Sequence, residues 1–264
     1  FITKKSMDAR LVAFKRLLNI MDDLREKCPW DMKQTFQTLR HLTIEESYEL
    51  TDAILEEDWK SLEGEIGDLM LHLVFYSKIG SEQKLFDITS VLDQICDKLV
   101  HRHPHIYGDV KVQDEEEVKR NWEKLKLKEG KKSVLEGVPN SLPAMVKAIR
   151  IQEKAKGIGF EWSDKKDVWD KVKEELQEFE VEAEKKSDNM EEEFGDLLFS
   201  LINYSRFVNI NPENALAKTN NKFKARFQLM EKYILEEGWK ISELGLEKLD
   251  IYWEKAKLEL RQNS

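Results

Sequence analysis

The sequence has few of the residues that break or cross-link a chain. Its 264 residues include 5 prolines, 11 glycines and 2 cysteines, Cys28 and Cys96. Two cysteines cannot build a disulfide framework or a four-cysteine zinc site, and so few are typical of a reducing compartment. Proline and glycine disrupt helices, whereas the abundant Glu, Lys and Leu favour them. The composition therefore predicts a helical protein.

Long apolar runs and an excess of positive charge are also missing. The longest apolar run, Leu69 to Tyr76, is interrupted by His72 and is far shorter than the roughly 20 residues of a membrane span. The formal net charge is −9, which argues against a general nucleic-acid-binding protein because such proteins carry a basic patch. We therefore expect a cytoplasmic protein without membrane or direct nucleic-acid partners.

Two predicted helices in the second half of the chain concentrate carboxylates. KVKEELQEFE places Glu175 and Glu178 on one face, because residues three or four apart share a face of a helix. The next helix is apolar almost all round, which indicates burial, except for one polar line. That line consists of Glu193, Asp196, Ser200 and Asn203. Carboxylates on a buried helix need a compensating cation, and convergent carboxylates without a basic neighbour suit Mg²⁺.

The same arrangement occurs in the first half of the chain, again with the second helix apolar apart from one line. The carboxylates there are Glu46, Glu49, Glu65 and Asp68. The interval from Glu49 to Glu65 is 16 residues, and that from Glu178 to Glu193 is 15. Chance is a poor explanation for two clusters with the same order and nearly the same spacing.

The halves correspond beyond the acids. Trp30 and Trp162 occupy equivalent loops, and NWEKLKLKE at 121–129 corresponds to YWEKAKLEL at 252–260. Basic residues four apart follow each acidic pair: Lys98 and Arg102 in the first half, Lys222 and Arg226 in the second. No segment has a convincing strand pattern. The duplication predicts an all-α fold of two tandem domains, 1–132 and 133–264, each an antiparallel helical bundle.

Helix boundaries follow from periodicity and capping. The helix with Glu46 is predicted to begin at a capping box formed by Thr43 and Glu46, and the helix with Lys171 to begin soon after Asp164. The remaining predicted helices span 7–27, 62–79, 87–101, 115–129, 143–156, 189–207, 212–236 and 246–261.

Two groups of residues have more than one interpretation. The histidines of the HRHPH loop are compatible with zinc binding or with a surface loop; they are His101, His103 and His105. Four tryptophans are compatible with core packing or with stacking on a base; they are Trp30, Trp122, Trp162 and Trp253.

The motif EExxE at 174–178 followed by ExxD at 193–196, repeated at 45–49 and 65–68, resembles the MazG family of nucleoside triphosphate pyrophosphohydrolases. HRHPH, GFEW, EEEFGDLLF and NKFKARF look like the two-domain bacterial form. The resemblance implies an all-α homodimer that cleaves a nucleoside triphosphate between its α and β phosphates. The cofactor would be Mg²⁺, for which Mn²⁺ can substitute, and the role nucleotide-pool housekeeping or a stress response.

The resemblance also assigns roles to residues. The implied metal ligands are Glu175, Glu178, Glu193 and Asp196, and Glu175 or Glu178 would activate the attacking water. The implied nucleotide contacts are Lys171, Glu174, Asn189, Glu192, Lys222, Arg226 and Trp253. The corresponding first-half residues are Glu46, Glu49, Glu65 and Asp68 for metal, and Lys98 and Arg102 for phosphate.

The halves differ at one position that matters for phosphate binding. Aligning Glu46 with Glu175 places Leu42 where Lys171 stands, so we expect residues 145–264 to carry most of the activity. Two other functions stay open. One is a related all-α phosphohydrolase acting on deoxyuridine or deoxycytidine triphosphate or on an alarmone, and the other is a non-enzymatic, cation-binding interaction protein.

Overall fold

The structure, a computed structural model, describes residues 8–262 apart from 116, 119, 120, 123, 124 and 126–132. The described residues form helices and no strands, which confirms the predicted all-α class. The chain divides into two compact units, Phe1–Gln113 and Asp114–Ser264. The predicted boundary after 132 and much of the predicted 115–129 helix lie outside the described residues. No described helix is both long enough and apolar enough to cross a membrane.

Unit 1 contains five helices among its described residues. They are α1 (Ala9–Lys27), α2 (Phe36–Leu55), α3 (Trp59–Glu82), α4 (Ile88–Arg102) and α5 (Pro104–Tyr107). A short connection makes α2 and α3 an antiparallel pair, and α1 packs on α3. The apolar core of this unit consists of Met21, Leu39, Val74, Phe75 and Ile79.

Unit 2 repeats the order of the first helices of unit 1. Its helices are α6 (Ala144–Gly157), α7 (Lys165–Lys185), α8 (Met190–Phe207), α9 (Pro212–Glu236) and α10 (Leu246–Gln262). As in unit 1, α7 and α8 form an antiparallel pair, and α6 packs on α8. Helices α9 and α10 form a separate hairpin with its own apolar core, Met230, Tyr233, Ile234 and Ala256.

The predicted start of α2 is wrong. The helix begins at Phe36, where Thr35 caps it: the Thr38 N–H donates to the Thr35 hydroxyl at 3.2 Å, and the Thr35 N–H donates to Thr38 Oγ1 at 2.8 Å. Thr43 lies inside the helix, and its hydroxyl donates to the Leu39 carbonyl at 3.1 Å. A threonine that bonds back to the preceding turn is compatible with the middle of a helix.

The predicted burial of the whole of α8 is also wrong for one face of the helix. Ser200 and Asn203 are buried against unit 2, whereas large apolar side chains on the other face remain accessible. Phe194, Leu198 and Leu201 are 47, 43 and 40% exposed. Helices α6 and α7 cover only part of the circumference of α8. Periodicity reports that a helix is apolar, but it does not say whether the same chain covers it.

Candidate active site

Helices α7 and α8 bring three predicted site residues together. Glu175, Glu193 and Asp196 each offer a carboxylate oxygen, and these oxygens all lie within 4.8 Å of one another. We call these residues the C-terminal carboxylate group. The chain reverses between the helices at Lys186, whose left-handed conformation (φ 51°) ends α7 tightly. Periodicity places the acids on one face of each helix, and this turn places the faces opposite each other.

The C-terminal carboxylate group carries negative charge that its surroundings do not fully compensate. Burial raises the pKa of Glu193, and the nearby charges of Glu178, Asp196 and Glu175 raise it further. Glu178 is exposed and lies outside the group of three, yet it is close enough to affect Glu193. Clustered carboxylates under mutual repulsion fit a divalent cation with oxygen ligands, such as Mg²⁺.

Lys171 is paired with one member of this group, so the expectation of carboxylates without a basic neighbour is wrong at Glu175. Its Nζ lies 2.8 Å from Oε1 of Glu174 and 2.7 Å from Oε1 of Glu175. The hydrogen bonds that Lys171 donates to Glu174 and then to Glu175 raise the pKa of Lys171 above its ordinary value, so the ammonium stays protonated at neutral pH. Glu175 is buried while Glu174 is exposed, so the lysine pairs with one carboxylate inside the site and with one at the surface.

An apolar cavity of about 510 Å³ adjoins the carboxylates. It lies among α6, α7 and α8, and its apolar wall includes Ile151, Ile158, Phe160, Trp162, Val168 and Phe199. Lys171, Glu175 and Asp196 also line it. A ligand with a cation-bound anionic part and a flat apolar part would therefore find matching surfaces side by side.

The sequence reasoning missed part of this cavity wall. Gln152, Glu161 and Arg206 line the cavity, and none of them belongs to an acidic motif. One signal was present: Gln152 falls between Ala148 and Ala155 on the inward face of α6, where a polar side chain is unexpected.

Unit 1 contains a second group of carboxylates. Oxygens of Glu46, Glu49 and Glu65 also lie within 4.8 Å of one another, and we call these residues the N-terminal carboxylate group. Burial raises the pKa of Glu46, as do the charges of Asp68 and Glu49 and a hydrogen bond with Glu65. Glu65 Oε2 is buried without a hydrogen-bond partner among the described residues. Asp68 lies outside this group of three, but its charge is close enough to raise the pKa of Glu46.

Comparison with known proteins identifies the family. The sequence profile of the "MazG nucleotide pyrophosphohydrolase domain" matches residues 34–107 and 165–236. The chain belongs to the MazG family. Each match contains one carboxylate group, so the chain carries two MazG domains in tandem, as the internal duplication predicts.

Two relatives match over nearly their whole length. The chain is 44% identical over 251 residues to "Nucleoside triphosphate pyrophosphohydrolase/pyrophosphatase MazG" of Thermotoga maritima, covering 93% of this chain and 96% of that protein. It is 39% identical over 252 residues to "Nucleoside triphosphate pyrophosphohydrolase" of Escherichia coli, covering 92% and 96%. A solved structure, that of a MazG-related protein from Thermotoga maritima, matches at 29% identity with a TM-score of 0.39, covering 43% of this chain and 98% of that one.

The two MazG domains differ beside their carboxylate groups. Seven residues after Asp196 the second domain has Asn203, which lines the cavity, whereas seven residues after Asp68 the first has Phe75, which is buried in the core. Leu42, the counterpart of Lys171, packs against that same core. Apolar side chains thus occupy positions in the first MazG domain that carry polar cavity residues in the second.

The predicted nucleotide contacts of the second MazG domain fall into two places. Lys171 and Glu174 lie at the carboxylates, and Asn189 and Glu192 are exposed around the start of α8. The others, Lys222, Arg226 and Trp253, lie on the hairpin of α9 and α10. Of the described residues that line the cavity, none comes from that hairpin. The Trp253 ring packs 5.1 Å from the ring of Phe223 within the hairpin.

Three kinds of candidate residue remain: the basic residues of the first MazG domain, the histidines of the HRHPH loop and the tryptophans. In the first MazG domain Lys98 is exposed on α4, and Arg102 is its last residue. The rings of His103 and His105 are 5.5 Å apart, but among the described residues the sets able to hold a metal are the two carboxylate groups. Trp162 lines the cavity, so of the four tryptophans it is the one placed to stack on a ligand there.

Proposed function

We propose that this chain hydrolyses nucleoside triphosphates between the α and β phosphates, releasing a nucleoside monophosphate and pyrophosphate. The observation that carries the proposal is the C-terminal carboxylate group beside an apolar cavity. The carboxylates suit a metal–triphosphate complex, and the cavity suits a base. Relatives that match more than nine-tenths of this chain bear the name of this activity.

Glu175, Glu193 and Asp196 would hold Mg²⁺, with Glu178 as the neighbouring fourth carboxylate; Mn²⁺ can take the same oxygens. When bound, the cation screens the triphosphate and polarises the α-phosphorus. The fit rests on the convergence of the three carboxylate oxygens; the pKa of Glu193 is raised first by burial and then by the neighbouring negative charges, and a bound cation would offset both.

The chain's own residues divide the remaining tasks. Glu175 is already paired with Lys171, so the exposed Glu178 is the better candidate to accept the proton of the attacking water. That water forms the new bond to the α-phosphorus, and the oxygen bridging the α and β phosphates leaves with pyrophosphate. Lys171, held protonated, stabilises the negative charge of the phosphates.

We propose further that the active form is a homodimer. The apolar face of α8 and the hairpin contacts Lys222, Arg226 and Trp253 support this assembly. A second copy would cover the exposed face of α8, since contiguous apolar patches mark association surfaces. It would also allow the basic residues of a hairpin to approach a carboxylate group. Within one chain, the hairpin supplies none of the described residues that line the adjoining cavity.

We assign the main activity to unit 2. Leu42 in place of Lys171 removes a phosphate-binding cation from unit 1, and Phe75 in place of Asn203 fills the position of a cavity residue. Unit 1 keeps its carboxylate group, which supports a metal-binding or structural role. The free thiols of Cys28 and Cys96 and the nucleotide substrate support a cytoplasmic location.

A nucleotide panel tests the activity directly. The purified chain is incubated with the ribo- and deoxyribonucleoside triphosphates and an alarmone in Mg²⁺, and pyrophosphate is measured separately from phosphate. Pyrophosphate together with monophosphate supports the proposal. Turnover of only deoxyuridine or deoxycytidine triphosphate, or of the alarmone, would favour the related phosphohydrolases, and no turnover of any would favour a cation-binding interaction protein.

A pair of matched substitutions tests the assignment to unit 2. Glu193→Gln removes one charge of the C-terminal carboxylate group, and Glu65→Gln makes the same change at the corresponding position of unit 1. We expect Glu193→Gln to lower kcat by about 100-fold or more and Glu65→Gln to change it by less than about threefold. The reverse result would move the active centre to unit 1.

A further inference from the structure

Gln152 lines the apolar cavity and has a buried acceptor atom without a partner among the described residues. The side chain is 5% exposed, and its Nε2 donates to the Phe199 carbonyl at 2.8 Å. A carbonyl oxygen can only accept, so this bond sets which end of the amide is nitrogen. The other end, Oε1, is buried and has no hydrogen-bond partner among the described residues. Buried acceptors are rarely left unpaired, so this one points to a donor supplied from outside the chain.

Asn203 presents the opposite chemistry at the same cavity. It is 9% exposed, and its Oδ1 accepts from Arg206 Nη1 at 2.8 Å. A guanidinium can only donate, so the Asn203 amide is also oriented, and Nδ2 is the end left to meet a ligand. Arg206 is itself held by an ion pair with Glu161. These successive contacts, from Glu161 to Arg206 and from Arg206 to Asn203, therefore set the position of a hydrogen-bond donor in the cavity wall.

We propose that Gln152 and Asn203 read the edge of the substrate base, an inference that rests on the proposed function. Gln152 Oε1 accepts an N–H of the base, and Asn203 Nδ2 donates to a neighbouring ring nitrogen or carbonyl. The ligand class is a nucleobase whose pyrimidine-ring edge carries a donor beside an acceptor. With the base among Ile158, Phe160 and Trp162, its triphosphate extends to the carboxylates.

The chemistry of the wall excludes the opposite placement of the nucleotide. A phosphate group offers only acceptors at neutral pH and cannot satisfy Gln152 Oε1. It would also lose its hydration among apolar side chains. A flat ring that buries apolar surface and carries one N–H meets both requirements. Unit 1 has no equivalent amide at this position, because Phe75 takes the place of Asn203.

Three triphosphates and three single substitutions, one of them a control, test the proposal. Adenosine triphosphate carries an exocyclic N–H donor, inosine triphosphate carries a ring N–H donor, and purine riboside triphosphate has neither on that edge. Gln152→Met keeps the side-chain length and removes the acceptor, and Gln152→Leu is a second variant in case the first is unstable. Gln177→Met, on the exposed surface of α7, is the matched control. Pyrophosphate release gives kcat/KM for each pair, and circular dichroism verifies folding.

We expect the wild-type protein and Gln177→Met to prefer at least one of the first two substrates over purine riboside triphosphate by about tenfold or more. Gln152→Met should reduce that preference to within about twofold, mainly by slowing the preferred substrate. Equal use of all three substrates by the wild-type protein, or a preference that survives in both folded Gln152 variants, would overturn the inference but not the proposed function. Absence of turnover with every nucleotide would overturn both.

Discussion

Lys171 Nζ lies 2.7 Å from Oε1 of Glu175 and 2.8 Å from Oε1 of Glu174, so one ammonium joins a buried carboxylate of the site to an exposed one. This cation belongs to unit 2 alone, since Leu42 holds the corresponding position in unit 1. Lys171 also lines the cavity. It therefore lies where the phosphates of a bound nucleotide would pass from the cavity to the carboxylates.

Lys171→Met should lower the rate of pyrophosphate release by about 100-fold, because it removes a charge that stabilises the phosphates in the transition state. The Mg²⁺ concentration needed for half-maximal rate should not rise, since the carboxylates lose a competing cation. Lys173→Met is the matched control: Lys173 is exposed on the same helix and pairs with Asp170 at 2.9 Å. An equal loss of activity in the two variants would contradict a specific role for Lys171.

Divalent cations should stabilise the folded protein through the two carboxylate groups. Mg²⁺ at about 100 times its dissociation constant would add roughly 2.7 kcal/mol per occupied site to the free energy of unfolding, seen as a rise in Tm relative to excess chelator. The double variant Glu65→Gln, Glu193→Gln should lose most of this rise. In chelator it should be at least as stable as the wild-type protein, because each substitution relieves charge repulsion. A Mg²⁺-dependent rise that is the same in both proteins would place the cation elsewhere.

Gly80 and Gly67 lie on the same helix, α3, but should respond in opposite ways to alanine. A Cβ at Gly80 would meet the Phe86 ring at 2.7 Å, so Gly80→Ala should lower the free energy of unfolding by about 1–3 kcal/mol. A Cβ at Gly67 meets nothing within 4 Å, so Gly67→Ala should raise it by about 0.5–1 kcal/mol. Denaturant unfolding measures both, and two changes of the same sign would be inconsistent with this packing.

Arg25 and Glu82 should give unit 1 a pH-dependent contribution to stability. Arg25 Nε donates to Glu82 Oε1 at 3.0 Å, and this bond lowers the pKa of Glu82 below its ordinary value of 4.5. A carboxyl with a lowered pKa in the folded state stabilises the protein above its unfolded pKa and stops doing so as pH falls through its folded pKa. Glu82→Gln should therefore cost about 1 kcal/mol or less near pH 7, and the cost should shrink below about pH 4.

Thermal or denaturant unfolding as a function of pH measures this difference. Glu63→Gln, at an exposed position of the same helix, is the control for loss of one charge from α3. A cost for Glu82→Gln that stays constant down to pH 3 would show that the ionised carboxylate is not the source.

The sequence anticipated most of the fold, and the exceptions have identifiable causes. The predicted helices at 212–236 and 246–261 nearly coincide with α9 and α10, because Pro212 and the apolar period mark them locally. The start of α2 was missed because Thr43 and Glu46 have the spacing of a capping box, while the true cap, Thr35, pairs with another threonine. Local rules can suggest two starts for one helix, and tertiary packing selects between them.

The candidate site was also predicted only in part from the sequence. The acidic motifs predicted which carboxylates cluster, because a fixed spacing on two helices joined by a short turn brings the same faces together. They did not show that Glu178 and Asp68 lie outside the groups of three, nor that Lys222 and Arg226 lie on a separate hairpin. They also gave no sign of the oriented amides of Gln152 and Asn203, which depend on contacts with Phe199 and Arg206.

The sequence by itself determined that this protein is helical, that it is duplicated and that each half carries a set of carboxylates. These properties follow from residue type and from spacing along one chain. Only the tertiary structure decided which side chains share the cavity and which face of α8 remains uncovered. These properties depend on distances between helices that are remote in sequence, and such distances are set by the packing of whole side chains against each other.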